Sequence, residues 1–303
     1  MNIGLVDVDK TRFPNLVLMK LSAWFKSKGD DVSLLTVSDV LNEAISRYDA
    51  LYGACTFTKN KDIAETLKEC GVHVAGSGID CSSTAEKLPE HIEHIMPDYS
   101  LYGIADTAYG FLTRGCPRGC PFCIVAEKEG ARSVKVADLS EWWSGQKHIK
   151  LLDPNLLACD EHIYLLEQLA DSKAYIDVTQ GADIRLLTDE NIEYINALKL
   201  KQLHFAWDNP RNDKVRENLE KFAKNRRYKS YTTYPVYVLT NYWSSFEEDL
   251  YRVYWLRDNG YNPYVMIFDK ENAPKQVRQL QRWVNNRRIF RSCSSFKEYF
   301  NNA

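Results

Sequence analysis

The sequence predicts an α/β protein: a small Rossmann-like domain with a parallel sheet, followed by a partial (β/α)6 barrel. Three observations carry that expectation. Short apolar runs of strand length alternate with amphipathic segments of helix length along most of the chain. The alternation lapses once, over Pro97 to Thr107, and then restarts. After the lapse, several apolar runs end in polar residues, as barrel strands do at the face that carries function.

The first domain is expected over 1–96. Asn2 to Val8 reads as a strand, and Asn15 to Lys28 as a helix with Val17, Leu18, Leu21, Trp24 and Phe25 on one face and Gly29 after it. Asp31 to Val37 and Ala50 to Cys55 read as strands, Asp62 to Cys70 as a helix stopped by Gly71, and Val72 to Ala75 as a fourth strand. The aperiodic stretch 97–107, with Pro97 and Gly103, reads as a linker.

The barrel is expected over 108–303, with a C-terminal helical tail. Its strands are Ala108 to Arg114, Ile149 to Asp153, Tyr175 to Val178, Gln202 to Trp207, Pro235 to Leu239 and Pro263 to Phe268. Helices are expected near Asp160 to Ala170, Thr188 to Leu198, Asp213 to Lys224, Ser245 to Asn259 and Pro274 to Asn285. Ser245 with Glu248 has capping-box spacing, and Thr188 stands where a cap would.

Composition narrows the function. The 303 residues are 45% hydrophobic and 26% charged, enough for a core and a charged surface. Lysine and arginine number 39 against 41 acids, a net charge of −2 that argues against a dedicated nucleic-acid binder. No apolar run approaches the roughly 20 residues that cross a bilayer, so no membrane role is expected. The first residues read as a strand rather than a signal peptide, and a cytoplasmic location is expected.

There are eight cysteines. Cys55, Cys70, Cys81, Cys159 and Cys293 are scattered, as small core residues are. The other three fall in Gly110-Phe-Leu-Thr-Arg-Gly-Cys116-Pro-Arg-Gly-Cys120-Pro-Phe-Cys123, directly after a strand. Three thiolates on one tight loop suit three irons of a cubane cluster, leaving the fourth iron for a small molecule. Gly115 and Gly119 let the loop curl, Pro117 and Pro121 stiffen it, and Arg114 and Arg118 add positive charge beside the thiolates. A structural zinc site would want a fourth ligand; Cys159 and His148 exist but lack paired spacing. The alternative function is therefore a zinc-stabilised nucleic-acid-binding module without catalysis.

This cysteine spacing, with the aromatic Phe122 before the third cysteine and the strand-helix run after it, resembles the radical S-adenosylmethionine family over about residues 105 to 270. The runs Tyr109 to Cys116, Lys150 to Asn155, His204 to Asp208 and Arg282 to Asn286 resemble a bacterial and phage group of that family, a likeness that names no substrate. The resemblance implies a 4Fe-4S cluster on Cys116, Cys120 and Cys123. It implies S-adenosylmethionine cleaved to a 5′-deoxyadenosyl radical, which abstracts hydrogen from a nucleoside, nucleic acid or peptide. A reductant such as flavodoxin or ferredoxin is implied as a partner.

The same resemblance assigns cofactor contacts. Asp153 and Asn155 end the second barrel strand in Leu-Leu-Asp-Pro-Asn, where many members carry a Gly-Gly-Glu-like motif. Gln180 and Arg185 follow the third strand, with Arg185 suited to a bidentate grip on the cofactor carboxylate. A salt bridge from Arg185 to Asp183 or Asp189 is the competing expectation. Asp208, with His204, ends the fourth strand. The first domain resembles the cobalamin-binding subgroup, but no Asp-x-His-x-x-Gly offers a histidine to cobalt, so cobalamin is not expected. Asp7 and Asp9 are instead expected to cap the open end of the barrel. Residues 274 to 300 mix basic and aromatic side chains; a docked terminal helix is favoured there over a nucleic-acid grip.

Overall fold

The computed structural model describes every residue except 43, 44, 83, 231 and 303. It is an α/β protein with parallel sheets, divided into two compact units, Met1–Lys150 and Leu151–Ala303.

In the first unit, β1 (Asn2–Asp7), β2 (Asp31–Leu35), β3 (Ala50–Ala54) and β4 (His73–Ala75) form a parallel sheet in the order β2-β1-β3-β4. Ile3, Leu5 and Val6 are buried in β1, which lies between two neighbours. The helix Leu16–Ser27 starts because the Asn15 side chain accepts from the amides of Val17 and Leu18. Val37, expected to end the second strand, instead begins a short helix, because Thr36 and Asp39 form a capping box.

The stretch expected as a linker is tied back to the first helix. Asp98 accepts from Ser22 at 2.6 Å and from Lys26 at 2.7 Å, and buried Lys20 pairs with Glu93 at 2.8 Å. After it come β5 (Thr107–Gly110), β6 (Thr113–Arg114), β7 (Val134–Lys135) and β8 (His148–Leu151), within which the division between units falls. β6 and β7 pair antiparallel, so the strand expected over Ala108 to Arg114 is broken in two.

In the second unit, β9 (Tyr175–Val178) pairs parallel with β10 (Lys199–Leu203). A second parallel sheet holds β11 (Phe205–Ala206), β12 (Pro235–Thr240) and β13 (Asn262–Ile267) in that order. The single strand expected over Gln202 to Trp207 is therefore interrupted at His204. There the backbone carbonyl accepts from Ala182 N at 2.8 Å and the ring turns to Val178 O at 2.8 Å, so His204 serves the β9 side rather than a continuous ladder.

The helices Phe246–Asp258 and Lys275–Asn285 pack on β12 and β13, burying Val253, Val265, Leu280 and Trp283. Ser245 and Glu248 form the expected capping box, and Thr188 caps the helix Asp189–Ala197. Among the described residues, no helix is long and apolar enough to cross a membrane.

Candidate metal and cofactor site

The cysteine loop leaves β6 and is closed at its base. Arg114 pairs with Glu129 at 3.1 Å and lies 3.7 Å from the centre of the Phe111 ring. The amide of Cys116 donates to Gly130 O at 3.0 Å. Gly115 has φ +86°, and a Cβ on it would fall 2.0 Å from Arg132 O, so only glycine fits where the loop crosses its own return. Gly119 has φ +54° with open space around it. After Gly119, Cys123 N donates to Cys120 O at 2.9 Å, a tight turn that holds the second and third cysteines on one bend.

None of the eight cysteines is in a disulfide; Cys116 and Cys120 are half-buried and Cys123 is exposed. Phe122 is half-buried on the same loop. Three soft thiols reachable from solvent suit a thiophilic metal, iron or zinc alike. Among the described residues, no three His, Cys, Asp or Glu side chains converge into a metal-sized cluster, so the three thiols share a loop without sharing a centre.

In the second unit, the residues expected to hold the cofactor differ sharply in access. Asp153 is 0% exposed and Asn155 2%. Gln180 is exposed. Arg185 is half-buried and bidentate on Asp183, with Nε–Oδ1 at 2.9 Å and Nη2–Oδ2 at 2.6 Å. The salt bridge to Asp183 is thus present, and Asp183 also caps Arg185 N at 3.1 Å. Asp208 is half-buried, and its carbonyl accepts from Arg252 Nη1 at 2.8 Å.

Arg252 is a residue that sequence reading missed. It is 0% exposed, yet its guanidinium reaches Trp207 O at 2.5 Å and Leu239 O at 2.9 Å, besides Asp208 O. It pairs with buried Asp249 at 2.5 Å. Burial works against charge on both, raising the Asp249 carboxyl and lowering the Arg252 guanidinium. Arg252 so fixes the carboxyl ends of β11 and β12, where ligands bind in such sheets. Its spacing three residues after Asp249 was the available signal, but an exposed helical ion pair has the same spacing.

His204 belongs with these residues. Val178 O can only accept, so His204 Nδ1 carries the proton and Nε2 is left as an acceptor. Burial lowers the ring's pKa below the ordinary value, favouring the neutral form. The ring stacks on Tyr237 at 5.2 Å, and Tyr237 donates to Thr179 O at 3.1 Å.

Asp7 and Asp9 have local work in the first unit. Asp9 accepts from Thr56 N, Phe57 N and Asn60 Nδ2, tying the loop after β1 to the loop after β3. Asp7 accepts from the Tyr102 hydroxyl at 2.8 Å. In the C-terminal stretch, Trp283, Phe290, Phe296 and Tyr299 are buried in the core and present no stacking surface to nucleic acid. A comparison with protein-family models gives no match, and no curated protein matches the chain.

Proposed function

We propose that the chain is a radical S-adenosylmethionine enzyme acting in the cytoplasm on a nucleoside, nucleic acid or peptide. The reading rests on one observation above the others: three cysteines spaced C-x3-C-x2-C on a single loop, closed at its base by Arg114–Glu129 and by a glycine with no room for a side chain. On this reading the chain from 108 onward forms a partial (β/α)6 barrel, and 1–96 is a separate Rossmann-like domain that does not take cobalamin.

Cys116, Cys120 and Cys123 would hold a 4Fe-4S cluster, which when bound supplies the electron that splits S-adenosylmethionine to a 5′-deoxyadenosyl radical. The chain's own residues bind and orient. Arg114 and Arg118 offset the negative charge of the thiolates. Phe122 shields the loop from water. Arg185, aimed by Asp183, offers donors to the cofactor carboxylate, with Gln180, Asp208, Asp153 and Asn155 as the surrounding polar groups. Flavodoxin or ferredoxin would supply electrons.

Anaerobic reconstitution tests the reading. A brown protein with about four irons and four sulfides per chain supports it. A colourless protein that takes one zinc instead would replace it with the metal-stabilised binding module.

A further inference from the structure

The net charge of −2 hides a segregation. Residues 275–300 hold seven basic side chains and one acid, a charge of +6, so the rest of the chain, with 32 basic residues against 40 acids, carries −8. The fold turns those cations outward. Val277, Leu280, Trp283 and Val284 face the core from the helix Lys275–Asn285, and Phe290 does so from the helix Arg287–Ser292. Lys275, Arg278 and Arg282, spaced i, i+3 and i+7, form one exposed stripe on the first helix. Arg287, Arg288 and Arg291 are exposed on the second. The Phe290 ring meets Trp283 at 4.8 Å, so both helices lean on one cluster and their cations share its outer side.

Two features set this charge apart from an ordinary solvated face. The first is the missing acids. The other basic stretch answers its cations: Arg216 pairs with Asp213 at 3.7 Å, Lys221 with Asp189 at 2.8 Å and Lys224 with Glu220 at 2.7 Å. Lys275, Arg278, Arg282, Arg287, Arg288 and Lys297 are exposed and have no ion pair among the described residues. The second is position. A helix N-terminus carries partial positive charge and favours acids. The helix Asp189–Ala197 opens on Asp189 and Glu190, and the helix Phe246–Asp258 has Glu247, Glu248 and Asp249 in its first turn. Lys275 opens one basic helix, Arg287 and Arg288 open the other, and neither has an acid in its first turn. Cations crowded without counter-charge and set against helix dipoles destabilise the fold, and an external polyanion offsets that cost.

We propose that the outer side of these two helices grips the phosphate backbone of a nucleic-acid duplex. Five of the seven cations are arginines, whose planar forks match pairs of phosphate oxygens. A single strand fits less well, because it is held by bases stacked on exposed rings. Of the five rings in this stretch, Trp283, Phe290, Phe296 and Tyr299 are buried and Phe300 alone is exposed. A lipid surface also fits less well. An interfacial helix sinks an apolar face into the acyl boundary, and here that face lies in the protein core. The grip reads charge and not sequence, as phosphate contacts do. It goes beyond the radical-enzyme reading and does not rest on it; beside that reading, it favours nucleic acid among the three substrate classes.

The test is fluorescence anisotropy on the full chain, purified without iron. The probes are a labelled DNA duplex and RNA duplex of mixed sequence, one strand of the DNA alone, labelled polyglutamate, and phosphatidylserine vesicles. At least one duplex should bind at about 50 mM salt and weaken steeply toward about 200 mM, since each phosphate contact releases counterions. Arg282→Gln and Arg288→Gln alter exposed side chains, so both should fold. Each should flatten the slope of log affinity against log salt by about 0.9 and weaken binding about tenfold at the lower salt. Lys221→Gln and Lys224→Gln remove cations already paired with acids and should leave binding near wild type. Any of four results overturns the proposal: no duplex binding; binding indifferent to both arginine variants; equal losses in the lysine variants; or tighter binding of the single strand, the polyglutamate or the vesicles. Because no cluster takes part, failure here leaves the radical-enzyme reading standing, and failure of that reading leaves this binding measurable.

Discussion

Arg185 is gripped by Asp183 through two parallel hydrogen bonds, at 2.9 and 2.6 Å, rather than extended into solvent. A guanidinium already oriented by a carboxylate loses less freedom when it meets a second one. Arg185→Ala should therefore keep iron content but weaken S-adenosylmethionine binding by about tenfold to a hundredfold, the cost of a charge-assisted contact. Asp183→Ala should weaken it too, and should also lower stability, because it leaves a half-buried cation without the carboxylate that aims it. Calorimetry giving wild-type affinity in Arg185→Ala would remove Arg185 from the cofactor site.

Gly115 and Gly119 should respond differently to the same change. Alanine at 115 meets Arg132 O at 2.0 Å in a left-handed backbone, so the loop must open at its base. Alanine at 119 meets nothing and costs about 1–2 kcal/mol of backbone strain. Iron bound after reconstitution should fall sharply in Gly115→Ala and stay near wild type in Gly119→Ala. Equal loading of the two proteins would mean that the closed base does not matter.

Arg252 should be among the costliest positions in the second unit. Arg252→Ala strands the buried Asp249 carboxylate and three backbone carbonyls, a loss of about 3–5 kcal/mol in urea unfolding. A fall under 1 kcal/mol would show that water replaces the guanidinium without penalty.

His204 gives a pH signature. Burial makes its folded ring harder to protonate than the unfolded one. As pH falls through about 6.5, the unfolded chain takes up the proton first. Stability contributed by the neutral ring is complete above that value and declines below it. Nitrogen-detected NMR should show the ring titrating below the ordinary histidine value, with Nδ1 protonated throughout. A midpoint at or above the ordinary value would contradict the assignment.

Much of the architecture was legible because it follows local rules. Asn15, Thr188 and Ser245 cap the helices they were expected to start, and the strand at Tyr175 to Val178 is found with the expected limits. What escaped depends on contacts distant in sequence. His204 interrupts its strand because Val178 and Ala182 claim its ring and carbonyl. Val37 joined a helix because the Thr36–Asp39 box outweighs its β-branched preference. In the site, the cysteine spacing was readable directly. Arg252 was not, since nothing in its neighbours reveals that it will be buried against two strand ends. Asp7 and Asp9, expected at the open end of the barrel, accept hydrogen bonds within the first unit, from Tyr102 and from Thr56, Phe57 and Asn60, which their charge and position in the sequence did not reveal.

Formation of 5′-deoxyadenosine is the most direct measure of the proposed chemistry. The chain is reconstituted anaerobically with iron and sulfide, reduced with dithionite or reduced flavodoxin, and incubated with S-adenosylmethionine. Mass spectrometry then compares wild type with Cys120→Ala and with Cys293→Ala, a cysteine outside the loop. The expected result is 5′-deoxyadenosine from wild type and from Cys293→Ala and none from Cys120→Ala. Iron-loaded wild type that yields none with either reductant, or Cys120→Ala with wild-type iron and yield, would contradict the assignment.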